Sequence, residues 1–196
     1  LSLSAGIGAL ILFGSVQLTM IIVALRNGER PQLLEWIGLC MAFGGLIYLV
    51  LPGLSAPPLL GSILMLVAGI AWGFYSLRGR GSQNPLADST GNFVYAVPII
   101  LLIRLLTLNS VQLSSTGILF AALSGTLASG VGYVIWYSAL RGLTTTRAAI
   151  IQLSVPVLAA WGGVLLLSEH ISTRLLFAGI LILGGIALTV LNRNKS

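Results

Sequence analysis

Charge is what this sequence of 196 residues has least of: 7% of its positions are Asp, Glu, Lys or Arg, where soluble domains carry about 25%. With 57% hydrophobic residues and a mean hydropathy of +1.03, that scarcity excludes water as the main solvent. Carboxylates number only 4, and the reading expects none inside an apolar span, so no proton carrier is visible in the spans. The single cysteine, Cys40, excludes an internal disulfide, and its apolar neighbours suit a small packed hydrophobe. The single histidine, His170, lies in a turn beside Glu169. That pair supplies neither a metal centre nor the buried Ser and His of an intramembrane protease, so no enzyme, metal or cofactor is expected. The opening "LSLSAGIGAL" lacks both Met and a basic leader, which argues against a cleavable signal peptide and reads as a fragment. Net charge +6 and a pI near 10.3 would suit nucleic acid. The basic residues nevertheless come singly or in pairs between apolar runs, without any recognition module, so nucleic acid is not an expected partner.

What the sequence does have is long apolar runs. From Trp36 to Leu77 there is no charged residue, and as one helix that run would reach roughly 63 Å, twice the bilayer's hydrocarbon core of about 30 Å. It must fold back. Cutting at charges and at Gly, Pro, Ser and Asn clusters predicts seven spans, near 5–25, 34–52, 58–77, 92–108, 118–140, 147–167 and 174–191. The fold class is all-α, a polytopic transmembrane helix bundle with the lipid bilayer as its partner. The fourth span is short, contains Pro98, and carries Arg104, which either snorkels or faces a wet cavity.

If the spans alternate in direction, Arg26, Arg30, Arg78, Arg80, Arg141, Arg147, Arg193 and Lys195 share one side, and the opposite loops hold only Arg174. The basic side is then cytoplasmic, with the C-terminus inside. Two turns punctuate the ends of the chain, "RNGERP" at 26–31 and "LLSEHIS" at 166–172. Glu29 lies over Glu169 at an offset of 140, and the same offset carries Gly44-Gly45 onto Gly184-Gly185. One turn is cytoplasmic and the other external, which is the relation of an inverted-topology repeat. Residues 1–56 read as the last two helices of a first unit and residues 57–196 as a complete second unit of five with a cytoplasmic tail. Ten spans are therefore expected in all, with three in roughly 84 residues preceding Leu1.

The stretch "GYVIWYSALRGLTTTRAAIIQLSVPVLAAWGGVLLLSEHISTRLLFAGILILGGIALTVL", residues 132–191, resembles the end of EamA-type carriers of the drug/metabolite transporter superfamily. The matching features are Gly132, Trp136, Ala139-Leu140, Pro156-Val157, Glu169 and Gly184-Gly185, with "GERP" at 28–31. Ser168 departs from the family's usual Gly, and Val16 stands where the first half often has Pro. The resemblance implies ten helices and an efflux carrier for small metabolites or amino acids in the inner membrane. Its central cavity would be lined in part by spans one, three, five and six. A homodimer is compatible with such a carrier.

Those four spans hold unusual polar and aromatic groups. Gln17 falls near the middle of span one, where its amide either lines the cavity or fastens two helices. Gln152 is followed at i+4 by Pro156, which lacks an N–H and crowds the Gln152 carbonyl, so the pair marks either a cavity wall or a kink. Trp72 and Tyr75 share one face of span three, and Tyr133, Trp136 and Tyr137 share one face of span five. Tyr75 and Tyr137 suit the interfacial belt, while the deeper Trp72 and Tyr133 either stack on solute or pack. Gly69-xxx-Gly73 and Gly125-xxx-Ser129 suit close helix approach, with Ser129 also a candidate polar wall group. The candidate substrate-binding set is Gln17, Trp72, Ser129, Tyr133, Trp136, Gln152 and Pro156. The competing reading is a non-transporting membrane scaffold or sensor whose polar groups only join helices.

Overall fold

The computed structural model describes residues 5–51, 58–106, 114–167 and 172–191, all of them in helices or short turns with no strand among them. In chain order the helices are α1 (Ala5–Arg26), α2 (Leu33–Val50), α3 (Leu59–Arg80), α4 (Pro85–Leu106), α5 (Ser115–Leu140), α6 (Thr145–Gln152), α7 (Ser154–Leu167) and α8 (Thr173–Leu191). Six of them, α1 to α5 and α8, are long and apolar enough to cross a membrane. The remaining expected span is the pair α6 and α7, interrupted at Leu153. Lipid explains the many exposed apolar side chains, such as Leu18, Leu59, Phe120 and Leu165.

Two expectations need correction. The fourth helix starts at Pro85 rather than near 92, because Asn84 caps it, its Oδ1 accepting from Ala87 N at 3.1 Å, and Pro at the first helical position gives up no needed donor. It then continues through Pro98. Carboxylates do lie within spans: Asp88 sits in the first turn of α4 and Glu35, 5% exposed, in the first turn of α2. Both positions face the positive end of a helix dipole, which makes an anion tolerable there.

The helices gather into two compact units, one made of 1–77 with 143–196 and the other of 78–142. In the first, Phe13, Ala42, Leu46, Ile150, Leu153, Val157 and Ile182 form a buried core contributed by α1, α2, α6, α7 and α8. The seam between α2 and α8 is built on small residues. A Cβ on Gly45 would strike Ile182, Leu181 and the Ala178 carbonyl; one on Gly185 would strike Ala42, Met41 and the Gly38 carbonyl. Adding 140 to 38, 41 and 42 gives 178, 181 and 182, so each glycine meets the counterparts of the residues its own counterpart meets. The pairs 38 with 185 and 45 with 178 also run in opposite order, so the two helices are antiparallel. Local two-fold exchange of this kind is what packing between equivalent, oppositely directed segments produces. α3 lies close to α1 through Gly69, against Leu12 and Ser15, and Gly73, against Val16 and Thr19.

In the second unit α4 packs on the end of α5. Phe93 and Tyr133 form a tilted aromatic pair with ring centroids 6.0 Å apart. Tyr137 is 2% exposed, wedged against Gly79, and its hydroxyl accepts from Asn92 Nδ2 at 3.2 Å. It is therefore a packing residue rather than a member of an interfacial belt. The middle of α5, Ser124–Val131, widens into a π-helical segment. A Cβ on Gly125 would meet nothing there, so that glycine serves no close approach among the described residues.

Candidate functional site

The site begins with the interruption at Leu153. In an unbroken helix the Leu153 N–H would serve the Ala149 carbonyl; here it turns to Ile150 O at 3.1 Å, and Pro156 has no N–H to offer Gln152. Ala149 is left with a carbonyl at membrane depth, and the Gln17 side chain fills the gap, its Nε2 donating to Ala149 O. One turn further along α6, Gln152 Nε2 donates to Ser76 Oγ at 2.7 Å. One turn before Ser76 on α3, Trp72 packs in a tilted pair with Phe13 of α1, centroids 5.5 Å apart.

Each of these groups is half used. Gln17 is 4% exposed and Gln152 3% exposed, yet Oε1 of each is buried without a partner among the described residues, as is Trp72 Nε1. A buried amide left half-satisfied costs about 1–3 kcal/mol. Two neutral acceptors and one donor, beside an aromatic face, are thus displayed by α1, α3 and α6 with none of them carrying formal charge. Such a set can hold a polar solute and has no group that moves a proton. Gln17 also supplies the polar spot in an apolar crevice of about 550 Å³ between α1 and α2. Cys40 lines the same crevice and is exposed, not packed as expected.

At one end of this unit two turns are tied together. Gly28, with φ +81°, makes the sharp turn after α1 that turns Glu29 toward α6. Glu29 accepts from Thr145 N (2.9 Å), Thr146 N (3.1 Å) and Thr146 Oγ1 (3.2 Å), while Thr144 Oγ1 takes Arg147 N at 3.2 Å. The orphan donors that open α6 are thereby served from another loop. Burial alone would raise the Glu29 carboxyl, but the hydrogen bonds from Thr145 and Thr146 outweigh it and hold the group below the usual carboxylate range. Alongside, Arg147 Nε pairs with Glu35 Oε1 at 2.8 Å, and Glu35 Oε2 accepts from Gln32 N at 2.9 Å. Glu29 thus does more than shape its own turn. Its counterpart Glu169, with His170, lies outside the described residues.

Of the candidate residues, Gln17, Trp72 and Gln152 come together in the first unit, with the half-buried Pro156 in the first turn of α7 beside the break. Ser129, Tyr133 and Trp136 belong to the second unit, half-buried on α5, with Ser129 inside the π-helical segment. Sequence reasoning missed Ser76, Phe13 and the Glu35–Arg147 pair. Ser76 was within reach, since it lies i+4 from Trp72 on an otherwise apolar face. Among the described residues no group of three His, Cys, Asp or Glu could hold a metal.

Comparison with known proteins bears on this arrangement. The sequence profile of the EamA-like transporter family matches residues 59–191. An uncharacterized protein of Pseudomonas aeruginosa is 51% identical over 191 residues, covering 97% of this chain and 67% of that protein. A protein of Escherichia coli named a probable amino-acid metabolite efflux pump is 27% identical over 201 residues, covering 95% of this chain and 67% of its own. A solved crystal structure superposes with a TM-score of 0.84 at 21% identity, over 98% of this chain and 70% of that one, which establishes the shared fold. The chain spans about two thirds of the length of these relatives.

Proposed function

Because the chain belongs to the EamA-like transporter family and is a multi-pass membrane transporter, we propose that it exports a small metabolite or amino acid across the inner membrane by alternating access. The observation that carries this reading is the trio of buried atoms Gln17 Oε1, Gln152 Oε1 and Trp72 Nε1 around the Leu153 break, none with a partner among the described residues. Groups that serve only to join helices would be satisfied on both sides; these keep one valence for a guest. The name of the Escherichia coli relative supports an amino-acid metabolite as solute. A solute with an amino group and a carbonyl or carboxylate would use both kinds of valence, the amide oxygens accepting and the indole donating. Ser129, Tyr133 and Trp136 of α5 are proposed solute contacts within the second unit, and Pro156 keeps the break in the first unit open.

In this reading the repeats are 1–56 and 57–196, the arginine-rich end is cytoplasmic, and the C-terminus lies inside. The turn that Glu29 ties to α6 lies at that end and must loosen whenever the pathway opens there. The test is solute flux from cells or vesicles carrying the complete gene product. Gln152→Leu keeps the volume and removes the amide, and should cut flux about tenfold, the effect of one hydrogen bond's free energy. Ser76→Ala should cut it less. Full flux from both Gln152→Leu and Gln17→Leu, at normal membrane abundance, would overturn the assignment of the cavity.

A further inference from the structure

A polar pocket of about 770 Å³ lies wholly within the unit formed by residues 78–142 and shares no residue with the proposed solute site. Arg78 from the last turn of α3, Ser82 from the following turn, Asp88, Asn92 and Tyr95 from α4, and Tyr137 from α5 line it. α3 and α5 end here and α4 begins here, so its mouth sits at the membrane surface rather than in the hydrocarbon. Tyr95 is ten residues into α4, about 15 Å along its axis, and 79% exposed. The pocket therefore runs down the side of α4 and opens laterally toward the acyl chains.

Its chemistry is of mixed sign. Ser82 is 6% exposed, and its Oγ is buried without a hydrogen-bond partner among the described residues. Neither Arg78 nor Asp88 has an ion-pair partner among the described residues, although both line the same space. An anion alone would meet the Asp88 carboxylate, and a cation alone would meet the Arg78 guanidinium. A ligand carrying both charges meets each with its opposite.

We propose that this pocket binds the headgroup of a membrane phospholipid that bears a phosphodiester and a primary ammonium. The phosphate takes Arg78 and the Ser82 hydroxyl, and the ammonium donates to Asp88. The Tyr95 ring, 79% exposed, lies beside the lateral opening through which the acyl chains would leave. A trimethylated nitrogen lacks the N–H groups Asp88 requires, and a glycerol headgroup lacks the positive charge. A soluble zwitterion has the same charges but gains nothing from the lateral opening.

Native mass spectrometry of the purified full chain in mixed micelles tests this, with phosphatidylethanolamine, phosphatidylcholine and phosphatidylglycerol in equal amounts. Phosphatidylethanolamine should be retained about tenfold over the other two, as expected for one charge-assisted hydrogen bond. Asp88→Asn should abolish that preference, and Ser82→Ala should weaken retention while leaving the fold and the melting temperature unchanged. Equal retention of the three lipids, or a preference that survives Asp88→Asn, would overturn the proposal. Displacement of the lipid by millimolar phosphoethanolamine would move the site from lipid to soluble solute and overturn it equally.

Discussion

Glu29 shows how much one side chain can connect. Its carboxylate takes three donors from Thr145 and Thr146, and these bonds, against the opposing effect of burial, hold it below the ordinary carboxylate range. The folded protein thus binds that proton less readily than the unfolded chain does. The stabilisation is complete above the unfolded-state value and is lost as pH falls through the lower folded one. Thermal unfolding in detergent should therefore show a midpoint that drops between about pH 6 and pH 3. Glu29→Gln should lower the midpoint at pH 7 and flatten that part of the profile. An unchanged slope would mean that other carboxylates dominate acid sensitivity. None of this was legible in "RNGERP", which marks a charged turn but does not name the helix 116 residues away that the turn would serve.

At the scale of helices, the instructive comparison is α1 with the sixth span. Val16 and Pro156 stand at the same offset of 140 as the glycine pairs, yet α1 runs unbroken from Ala5 to Arg26 while the sixth span divides at Leu153. One imino acid accounts for the difference, because Val16 can donate its N–H and Pro156 cannot. Pro156→Val should let the sixth span run straight, return the Leu153 N–H to Ala149, and deprive Gln17 of its acceptor. Flux should fall severalfold while melting temperature holds or rises, since valine restores the backbone donor that Pro156 lacks. A flux equal to wild type in a stably folded variant would separate the break from transport. The break and the spans were readable from apolar runs and proline, because those signals are local. The early start of α4 was not, since "QNP" reads as a turn unless Asn84 is recognised as the cap. The exposure of Cys40 and the burial of Tyr137 depend on neighbours that sequence periodicity does not reveal.

At the scale of the molecule, the proposed opposite orientation of residues 1–56 and 57–196 is open to a direct test. After Cys40→Ala removes the native thiol, Asn27→Cys and Ser172→Cys should each react with a membrane-impermeant maleimide from only one side, and from opposite sides. Labelling of both from the same compartment would dismantle the inverted arrangement. The seam of α2 and α8 carries a longer consequence. Gly45 abuts the Ala178 carbonyl and Gly185 the Gly38 carbonyl, so a methyl gained on one helix must be surrendered on the other, twice over. Two helices in such close contact cannot change independently along that line. The junction thus holds the two helices to a common gauge, each setting the room the other has.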